Sequence, residues 1–365
     1  MDLNKLILLL ILISFSLFFY KYFALFLSKY NSKLLVDNQF KKPQSFHELP
    51  TSTSGGTGIF FSFLILNLYL FLSKEIIYYE YLSFCSLFFI LGLSDDLKLN
   101  TRPKFRLLAM IFLLIFLVVS NNLYVENTGI KSLNRFLEVD IFSLFFVCLC
   151  FLFIINGSNL IDGYNGLLGI HSLIILTNLF FVNYFNENSD LAFFILCMIL
   201  ITTLFLKYNF PRGTIFLGDA GSYFLGAFIA ISVIKTSIAN PIISPFYFCI
   251  LLFYLFFEVF FSFIRKIALE KRSPLFPDGK HLHMLLYKML VKKNSDRLKS
   301  NYYVSVIINL TYLILIIPSI FMMKNGLFCK YYSIVFFVIY LAAYKISYEK
   351  TKYIIWQNIF VLYYH

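Results

Sequence analysis

Long apolar runs, separated by short polar stretches, follow one another along nearly the whole chain. A run of about 18 or more apolar residues is typical of a transmembrane helix, since about 20 helical residues cross the hydrocarbon core. About eleven such runs lie near residues 4–27, 57–73, 77–94, 104–120, 141–156, 165–183, 190–207, 218–236, 243–264, 302–323 and 328–348. The composition agrees, because 60% of the 365 residues are hydrophobic. The sequence therefore predicts an all-α integral membrane protein, a helix bundle of about eleven transmembrane helices.

The polar stretches are too short for a soluble domain, the longest lying near residues 265–301. We therefore expect one membrane domain over residues 1–365, with the polar motifs in a core at about residues 50–285. The first run is too long for the core of a signal peptide and lacks a small-residue cleavage site, so we interpret it as a retained span.

Lys and Arg are unequally shared between alternate loops. Twenty of them lie in the loops near residues 28–56, 95–106, 157–164, 207–214 and 265–301, against six in the opposite loops. The positive-inside rule then predicts that the richer loops are cytoplasmic and that the N-terminus is outside. The net charge of +12 is spread over short loops, which argues against a nucleic-acid partner and suits a lipid surface or an anionic substrate.

The stretch Asn156–Gly169 interrupts two apolar runs with carboxamides, a carboxylate and four glycines. Irregular polar backbone at membrane depth is stable only where it lines a protein or water-filled cavity, so Asn156, Asn159 and Asp162 are candidate site residues. The alternative is an ordinary connection whose Asn and Asp side chains cap helix ends.

Acidic residues also mark two other loops of the same side. Asp95 and Asp96 are adjacent, a pattern suited to Mg²⁺ or to proton abstraction, and Lys104 and Arg106 follow as candidate phosphate ligands. The alternative is charge that decorates a helix end. Asp219 lies between glycines at the start of a span and needs a cation or several N–H donors, although it also fits a helix N-cap.

Three further patterns each fit two interpretations. Phe216 precedes Asp219 by three residues and is placed to stack on a flat ring, with ordinary packing as the alternative. The glycines 55 and 56 follow a Ser/Thr cluster, which predicts either backbone N–H groups near phosphate or an ordinary loop. His281 and His283 form a His-x-His pair near Lys and Arg without Cys, which favours phosphate over zinc.

Glu258 lies inside an apolar run and is either a functional acid or a structural partner of a cation.

All of these clusters fall on the side that the Lys/Arg distribution predicts to be cytoplasmic. Carboxylates suit Mg²⁺ and cationic side chains suit a pyrophosphate, and phosphoryl transfer requires that combination of charge neutralisation and alignment. The sequence thus predicts an active site on the cytoplasmic face of the bundle, with a lipid as one substrate.

With these motifs the chain resembles the polyprenyl-phosphate N-acetylhexosamine-1-phosphate transferase family, which includes the phospho-MurNAc-pentapeptide transferase of peptidoglycan synthesis. The resemblance covers about residues 50–283 in five motifs that keep the family's order. The motifs are Gly55-Gly56; Asp95-Asp96 with Lys104 and Arg106; Asn156, Asn159, Asp162 and Gly166; Phe216-Leu-Gly-Asp219-Ala-Gly-Ser222; and Ser273-Pro followed by Pro277-Asp278-x-x-His281-Leu-His283.

The resemblance implies transfer of a sugar-1-phosphate, a HexNAc-1-phosphate, from a UDP-sugar to undecaprenyl phosphate with release of UMP. It implies Mg²⁺, or Mn²⁺, as cofactor, and the bacterial cytoplasmic (inner) membrane as the location. The step would be the first membrane step of a cell-surface glycan pathway. A homodimer is left open.

The resemblance also implies residue roles. Asp219 and Asn159 would bind the metal, and Asp95 and Asp96 would act near the lipid phosphate as base or further metal support. The remaining residues would contact substrate or take part in catalysis: Phe216 on uracil, Asn156 and Asp162 in the nucleotide pocket, Lys104, Arg106, His281 and His283 on phosphates or sugar, and Gly55 and Gly56 in substrate binding.

Two departures bear on the substrate. Met284 stands where many members have a third His, and no basic residue directly precedes the glycine pair. The first departure argues against the pentapeptide transferase, which remains the alternative within the enzyme class. The alternatives of other classes are a secondary transporter, whose polar residues should lie near mid-bilayer in repeated halves, and a lipid-binding scaffold without turnover.

Overall fold

The computed structural model describes residues 3–23, 26, 35–37, 51–99, 102–274, 276, 278–294 and 296–363, and for residues 353–363 the backbone only. Most of the first predicted loop, up to residue 50, and Pro277 of the last motif lie outside these residues.

The described part of the chain is almost entirely helical. Its α-helices are α1 (Leu3–Phe18), α2 (Gly55–Lys74), α3 (Tyr79–Asp96), α4 (Pro103–Ser120), α5 (Lys131–Leu137), α6 (Asp140–Ile161), α7 (Leu167–Phe185), α8 (Ser189–Asn209), α9 (Gly218–Ala239), α10 (Pro245–Leu251), α11 (Phe253–Ile264), α12 (Leu282–Asn294), α13 (Arg297–Phe321) and α14 (Gly326–Tyr363). Short π-helical segments extend α1 over Phe19–Phe23 and α11 over Arg265–Leu269. Val36–Asp37 pairs antiparallel with Thr51–Ser52, Val36 opposite Ser52.

Nine helices in the described residues are long and apolar enough to cross a membrane, and a bent pair makes a tenth if it is one span. The run predicted at 77–94 forms α3, which has 18 residues and carries Glu80, Asp95 and Asp96. These three acids leave α3 less apolar than the other spans, which accounts for the difference from the eleven predicted. The structure confirms the all-α, multi-span membrane class.

The bent pair is α10 with α11 and the π-helical segment that follows it, and the two halves meet at 73°. A break in a membrane helix frees carbonyl groups that need a hydrogen-bond donor. The hydroxyl of Tyr312 donates to the carbonyls of Ile250 and Leu251, at 3.1 Å and 2.6 Å. This side chain from α13 therefore stabilises the bend.

Helix α9 lies at the centre of the bundle, and its buried share is the largest of the nine spans. It packs against α2, α3, α6 and α7. Small residues allow this, because membrane helices associate closely where backbones can approach. At the crossing with α2, a Cβ atom on Gly56 would collide with the backbone of Gly221, so both positions require glycine.

Candidate active site

The start of α9 is held by a side chain from α3. Asp96, the last residue of α3, accepts hydrogen bonds from the backbone N–H groups of Asp219 (3.0 Å) and Ala220 (2.9 Å). A carboxylate at a helix N-terminus satisfies free N–H groups and is attracted by the helix dipole. Gly218 has φ +78°, and a Cβ there would lie 2.7 Å from Asp96 Oδ2, so a glycine makes room for the cap.

The last turn of α6 brings a carboxamide to the same place. Asn159 Nδ2 donates to Asp219 Oδ1 at 2.6 Å and to Ser222 Oγ at 3.0 Å, and the Ser222 hydroxyl donates to the Asp219 carbonyl at 3.1 Å. The three loops that carry Asp96, Asn159 and Asp219 therefore meet at one end of the bundle.

Two further carboxylates belong to this group. Asp95 Oδ2 accepts from Arg106 at 2.9 Å, which joins the start of α4 to the end of α3. Burial raises the pKa of Asp162 well above its usual range, and the carboxylates of Asp219 and Asp96 add to the rise. We call Asp95, Asp96, Asp162 and Asp219 the acid cluster.

The N–H groups of Gly55 and Gly56 have different partners from the ones predicted. The N–H groups of Gly55 and Gly56 donate to the carbonyls of Phe216 (2.9 Å) and Leu217 (2.8 Å), and both glycines are buried. This contradicts the expectation that these N–H groups approach phosphate, because both are already paired. The two glycines instead join the start of α2 to the turn before α9 through these hydrogen bonds.

The other predicted substrate residues lie around this end of the bundle. Asn156 Nδ2 donates to the Leu152 carbonyl at 2.8 Å, one turn back on α6. Phe216 is half-buried, and its N–H donates to the Ser52 carbonyl at 2.7 Å. Lys104 is exposed on the first turn of α4. The roles of these three side chains stay predictions.

Sequence reasoning missed three carboxamides that shape the loop between α6 and α7. Asn301 Oδ1 accepts from the Asn165 N–H at 2.8 Å, and Asn209 Oδ1 accepts from the Gly166 N–H at 2.7 Å. Asn165 Nδ2 donates to the Pro211 carbonyl at 2.9 Å. The signal for Asn165 was present in the glycine-rich stretch, whereas nothing around Asn301 in the sequence points to a partner so distant along the chain.

The two histidines form a second group with acids. His281 Nδ1 lies 3.1 Å from Glu258 Oε2, and its Nε2 lies 3.4 Å from Asp278 Oδ1. The rings of His281 and His283 are nearly parallel, with centroids 5.6 Å apart, and His283 Nδ1 is 3.3 Å from the Tyr254 hydroxyl. We call His281, His283, Glu258 and Asp278 the imidazole cluster. Glu258 is a partner of His281 here, and the choice between its two predicted roles stays open.

A ring contact connects the two clusters. Tyr164 packs edge-on against His283 with centroids 5.5 Å apart, and Tyr164 follows Asp162 by two residues in the chain. Met284, which replaces the third His, is only 1% exposed and packs in the apolar core.

The donor set at the start of α9 fits Mg²⁺. In the described residues no group of three His, Cys, Asp or Glu side chains is arranged to hold a metal ion. Mg²⁺ does not need one, because it usually binds one or two carboxylates together with waters and substrate phosphates. The carboxylate of Asp219 and the side-chain oxygen of Asn159, whose amide nitrogen makes the two donated bonds, suit such an ion.

Comparison with known proteins agrees with this arrangement. The model of one protein family, glycosyl transferase family 4, matches residues 78–237, the stretch that contains the acid cluster. This part of the chain is similar to glycosyl transferase family 4. Gly55, Gly56 and both histidines lie outside the part that the family 4 model matches.

Several curated proteins also resemble this chain. An undecaprenyl-phosphate alpha-N-acetylglucosaminyl 1-phosphate transferase of Thermotoga maritima is 29% identical over 257 residues, 69% of this chain and 70% of the relative. A phospho-N-acetylmuramoyl-pentapeptide-transferase of Dictyoglomus turgidum is 34% identical over 200 residues, 52% of this chain and 63% of that protein. A probable undecaprenyl-phosphate N-acetylglucosaminyl 1-phosphate transferase of Bacillus subtilis is 32% identical over 202 residues, 53% of this chain and 54% of the relative.

These names confirm the predicted family and the predicted class of enzyme, a membrane transferase that moves phosphate-linked sugars.

Proposed function

We propose that the protein transfers a sugar-1-phosphate, a HexNAc-1-phosphate, from a UDP-sugar to undecaprenyl phosphate and releases UMP. The observation that carries the proposal is the junction at the start of α9, where Asp96, Asn159 and Asp219 from three separate loops are joined by hydrogen bonds. Such a convergence of acidic and amide groups at one end of a membrane bundle suits two phosphorylated substrates, one of them a lipid.

In this reaction a phosphate oxygen of the lipid forms a bond to the β-phosphorus of the UDP-sugar. The bond from that phosphorus to the bridging oxygen breaks, and UMP leaves with the bridging oxygen. The transfer exchanges one phosphoanhydride linkage for another, so the protein's task is to align the two phosphates and reduce their repulsion.

We propose that Asp219 and the amide oxygen of Asn159 hold Mg²⁺ or Mn²⁺. When bound, the ion supplies positive charge that stabilises the pyrophosphate oxygens in the transition state. Asn159 orients the Asp219 carboxylate through its 2.6 Å hydrogen bond, and Asp96 orients the backbone that carries it. Arg106 supplies a cation for a phosphate beside Asp95, and Lys104 supplies another from the first turn of α4.

The cytoplasmic orientation of this end and the bacterial inner membrane remain parts of the proposal. They are supported by the Lys/Arg distribution and by the bacterial origin of the relatives.

The pentapeptide transferase is the second candidate, because relatives with that name align at up to 34% identity. The buried Met284 weighs against it through the resemblance to members with a third His. A transporter is weaker, since the acid cluster lies at one end of the bundle.

The test uses purified protein in lipid vesicles with undecaprenyl phosphate, Mg²⁺ and a panel of UDP-HexNAc donors that includes UDP-MurNAc-pentapeptide. We expect release of UMP and a lipid-linked HexNAc product, identified by mass spectrometry. Asp219→Asn should abolish both, whereas Asp190→Asn, a matched removal of a carboxylate that pairs with Lys74, should keep them.

Three results would contradict the proposal. Full activity in the Asp219→Asn variant would remove the assigned metal ligand. Exclusive use of the pentapeptide donor would select the second candidate. Solute uptake into the vesicles without UMP release would select a transporter.

A further inference from the structure

Glu258 is the most deeply buried acid of the imidazole cluster. It is 1% exposed on α11, in a segment whose other residues are mostly Phe and other apolar side chains. A buried carboxylate is strongly destabilising unless its oxygens are paired. Both are paired here: Oε2 with His281 Nδ1 at 3.1 Å, and Oε1 with the Leu282 N–H at 3.2 Å.

The bond to Leu282 has a second effect. Leu282 is the first residue of α12, so Glu258 occupies the N-terminus of that helix with a negative charge. One carboxylate thereby fixes both the ring of His281 and the start of the helix that follows it. No other side chain of the imidazole cluster makes both contacts among the described residues.

The opposite nitrogen of the ring is held less closely. His281 Nε2 lies 3.4 Å from Asp278 Oδ1, longer than the 2.7–2.9 Å that is usual for a charge-assisted bond. Asp278 is itself drawn towards Arg265, whose guanidinium donates to Asp278 Oδ2 at 2.8 Å. Nε2 is therefore the nitrogen that a phosphate oxygen can engage.

The contact with Glu258 also shows where one proton of the His281 ring lies. A carboxylate oxygen can only accept a hydrogen bond, so Nδ1 is the donor in the 3.1 Å contact with Glu258. Nε2 can then donate to an anion only when the ring carries a second proton. An imidazolium fixed through Nδ1 then presents Nε2–H as a cationic donor to anionic groups.

We propose that Glu258 is a positioning residue for His281: it holds the Nδ1 proton and the ring orientation, so that Nε2–H donates to a phosphate of the substrate. The inference rests on the proposed function, because it takes His281 as a phosphate ligand. It assigns Glu258 no contact with substrate. The logic is that of a buried carboxylate that orients a functional imidazole through its second nitrogen.

The informative variant is Glu258→Gln. Its side-chain oxygen still accepts from the Leu282 N–H, but its NH₂ group faces His281 Nδ1 and cannot accept from it. We expect kcat/KM to fall about ten- to a hundredfold. Glu80→Gln is the matched control, because Glu80 is a half-buried carboxylate paired with Lys235 at the other end of α3, and it should leave kcat/KM unchanged.

A double-mutant cycle separates positioning from general damage. If Glu258 acts only through His281, the double variant with His281→Asn should match His281→Asn alone to within about twofold. Losses that multiply would overturn the inference. Glu258→Asp, which keeps the charge, should restore part of the loss, and it serves as the second variant if Glu258→Gln does not yield folded protein.

A measurement without turnover keeps the inference testable if the proposed function fails. Solid-state NMR of ¹⁵N-histidine-labelled protein in bilayers reports the protonation of each ring nitrogen, with the His281 signals assigned by their loss in His281→Asn. We expect a protonated Nδ1 in the wild type and an unprotonated Nδ1, which accepts from the Gln NH₂ group, in Glu258→Gln. Identical His281 signals in the two proteins would overturn the inference whether or not the protein transfers sugar phosphate.

Discussion

The cap that Asp96 forms on α9 leads to a sharp prediction for Asp96→Asn. The carboxylate accepts two backbone N–H groups, from Asp219 at 3.0 Å and from Ala220 at 2.9 Å. Hydrogen bonds to a charged group contribute about 1.5–3 kcal/mol each. A carboxamide keeps one acceptor and turns its NH₂ group towards the second N–H, so one charged bond is lost and the other becomes neutral.

The expected loss in the free energy of unfolding is therefore about 2–4 kcal/mol, with a smaller part from the lost charge at the helix N-terminus. Asp190→Asn is the control, because Asp190 is exposed and its 3.5 Å pair with Lys74 contributes about 1 kcal/mol or less. The two carboxylates thus differ in burial and in partners, while the chemical change is the same.

The assay is reversible unfolding in mixed detergent micelles titrated with SDS, followed by intrinsic fluorescence. Transfer activity is measured on the same preparations, because a displaced α9 start also displaces Asp219. An Asp96→Asn variant as stable as the wild type to within about 0.5 kcal/mol would refute the cap as a stabilising contact. Equal losses in Asp96→Asn and Asp190→Asn would refute the reasoning about burial.

Two other predictions concern pH and metal. Burial lowers the pKa of His283 to about 4, against the attraction of Glu258. The unfolded chain with its ordinary pKa of about 6.5 thus takes up the proton first, and stability should fall by about 3 kcal/mol between pH 6.5 and pH 4. His283→Gln should lose that part of the pH dependence of SDS unfolding, and an unchanged profile would contradict the assignment. Mg²⁺ at a hundred times its Kd should stabilise the wild type by about 2.7 kcal/mol but not Asp219→Asn, as measured by thermal unfolding with and without EDTA; equal stabilisation of both would place the metal elsewhere.

The apolar runs predicted the fold class well, because a membrane helix must satisfy its backbone internally and so leaves a long apolar segment in the sequence. They could not show the break between α10 and α11. The run near residues 243–264 reads as one span, and the donor that makes the bend tolerable, Tyr312, lies about 60 residues further on.

The acid cluster was predictable as a set of residues but not as a set of contacts. Adjacent Asp95 and Asp96 have the same chemistry, yet one pairs with Arg106 and the other caps α9. Their partners differ because of the way α3 crosses α9, which the sequence does not show. Gly55 and Gly56 show the same limit, because a glycine that lets a ligand approach and a glycine that lets a helix approach look alike in sequence.

The backbone hydrogen bonds between the start of α2 and the turn before α9 limit how this protein can open. Two backbone hydrogen bonds join Gly55 and Gly56 to the Phe216–Leu217 turn, and the two helices touch at glycines. Separating them would cost both bonds and the packing between backbones, so these two helices travel as a single rigid body. Among the described residues, the start of α4 is joined to α3, and the loop before α12 to α11 and its π-helical extension, by contacts between side chains. We therefore expect a nucleotide to enter, and its product to leave, by shifts of these two parts.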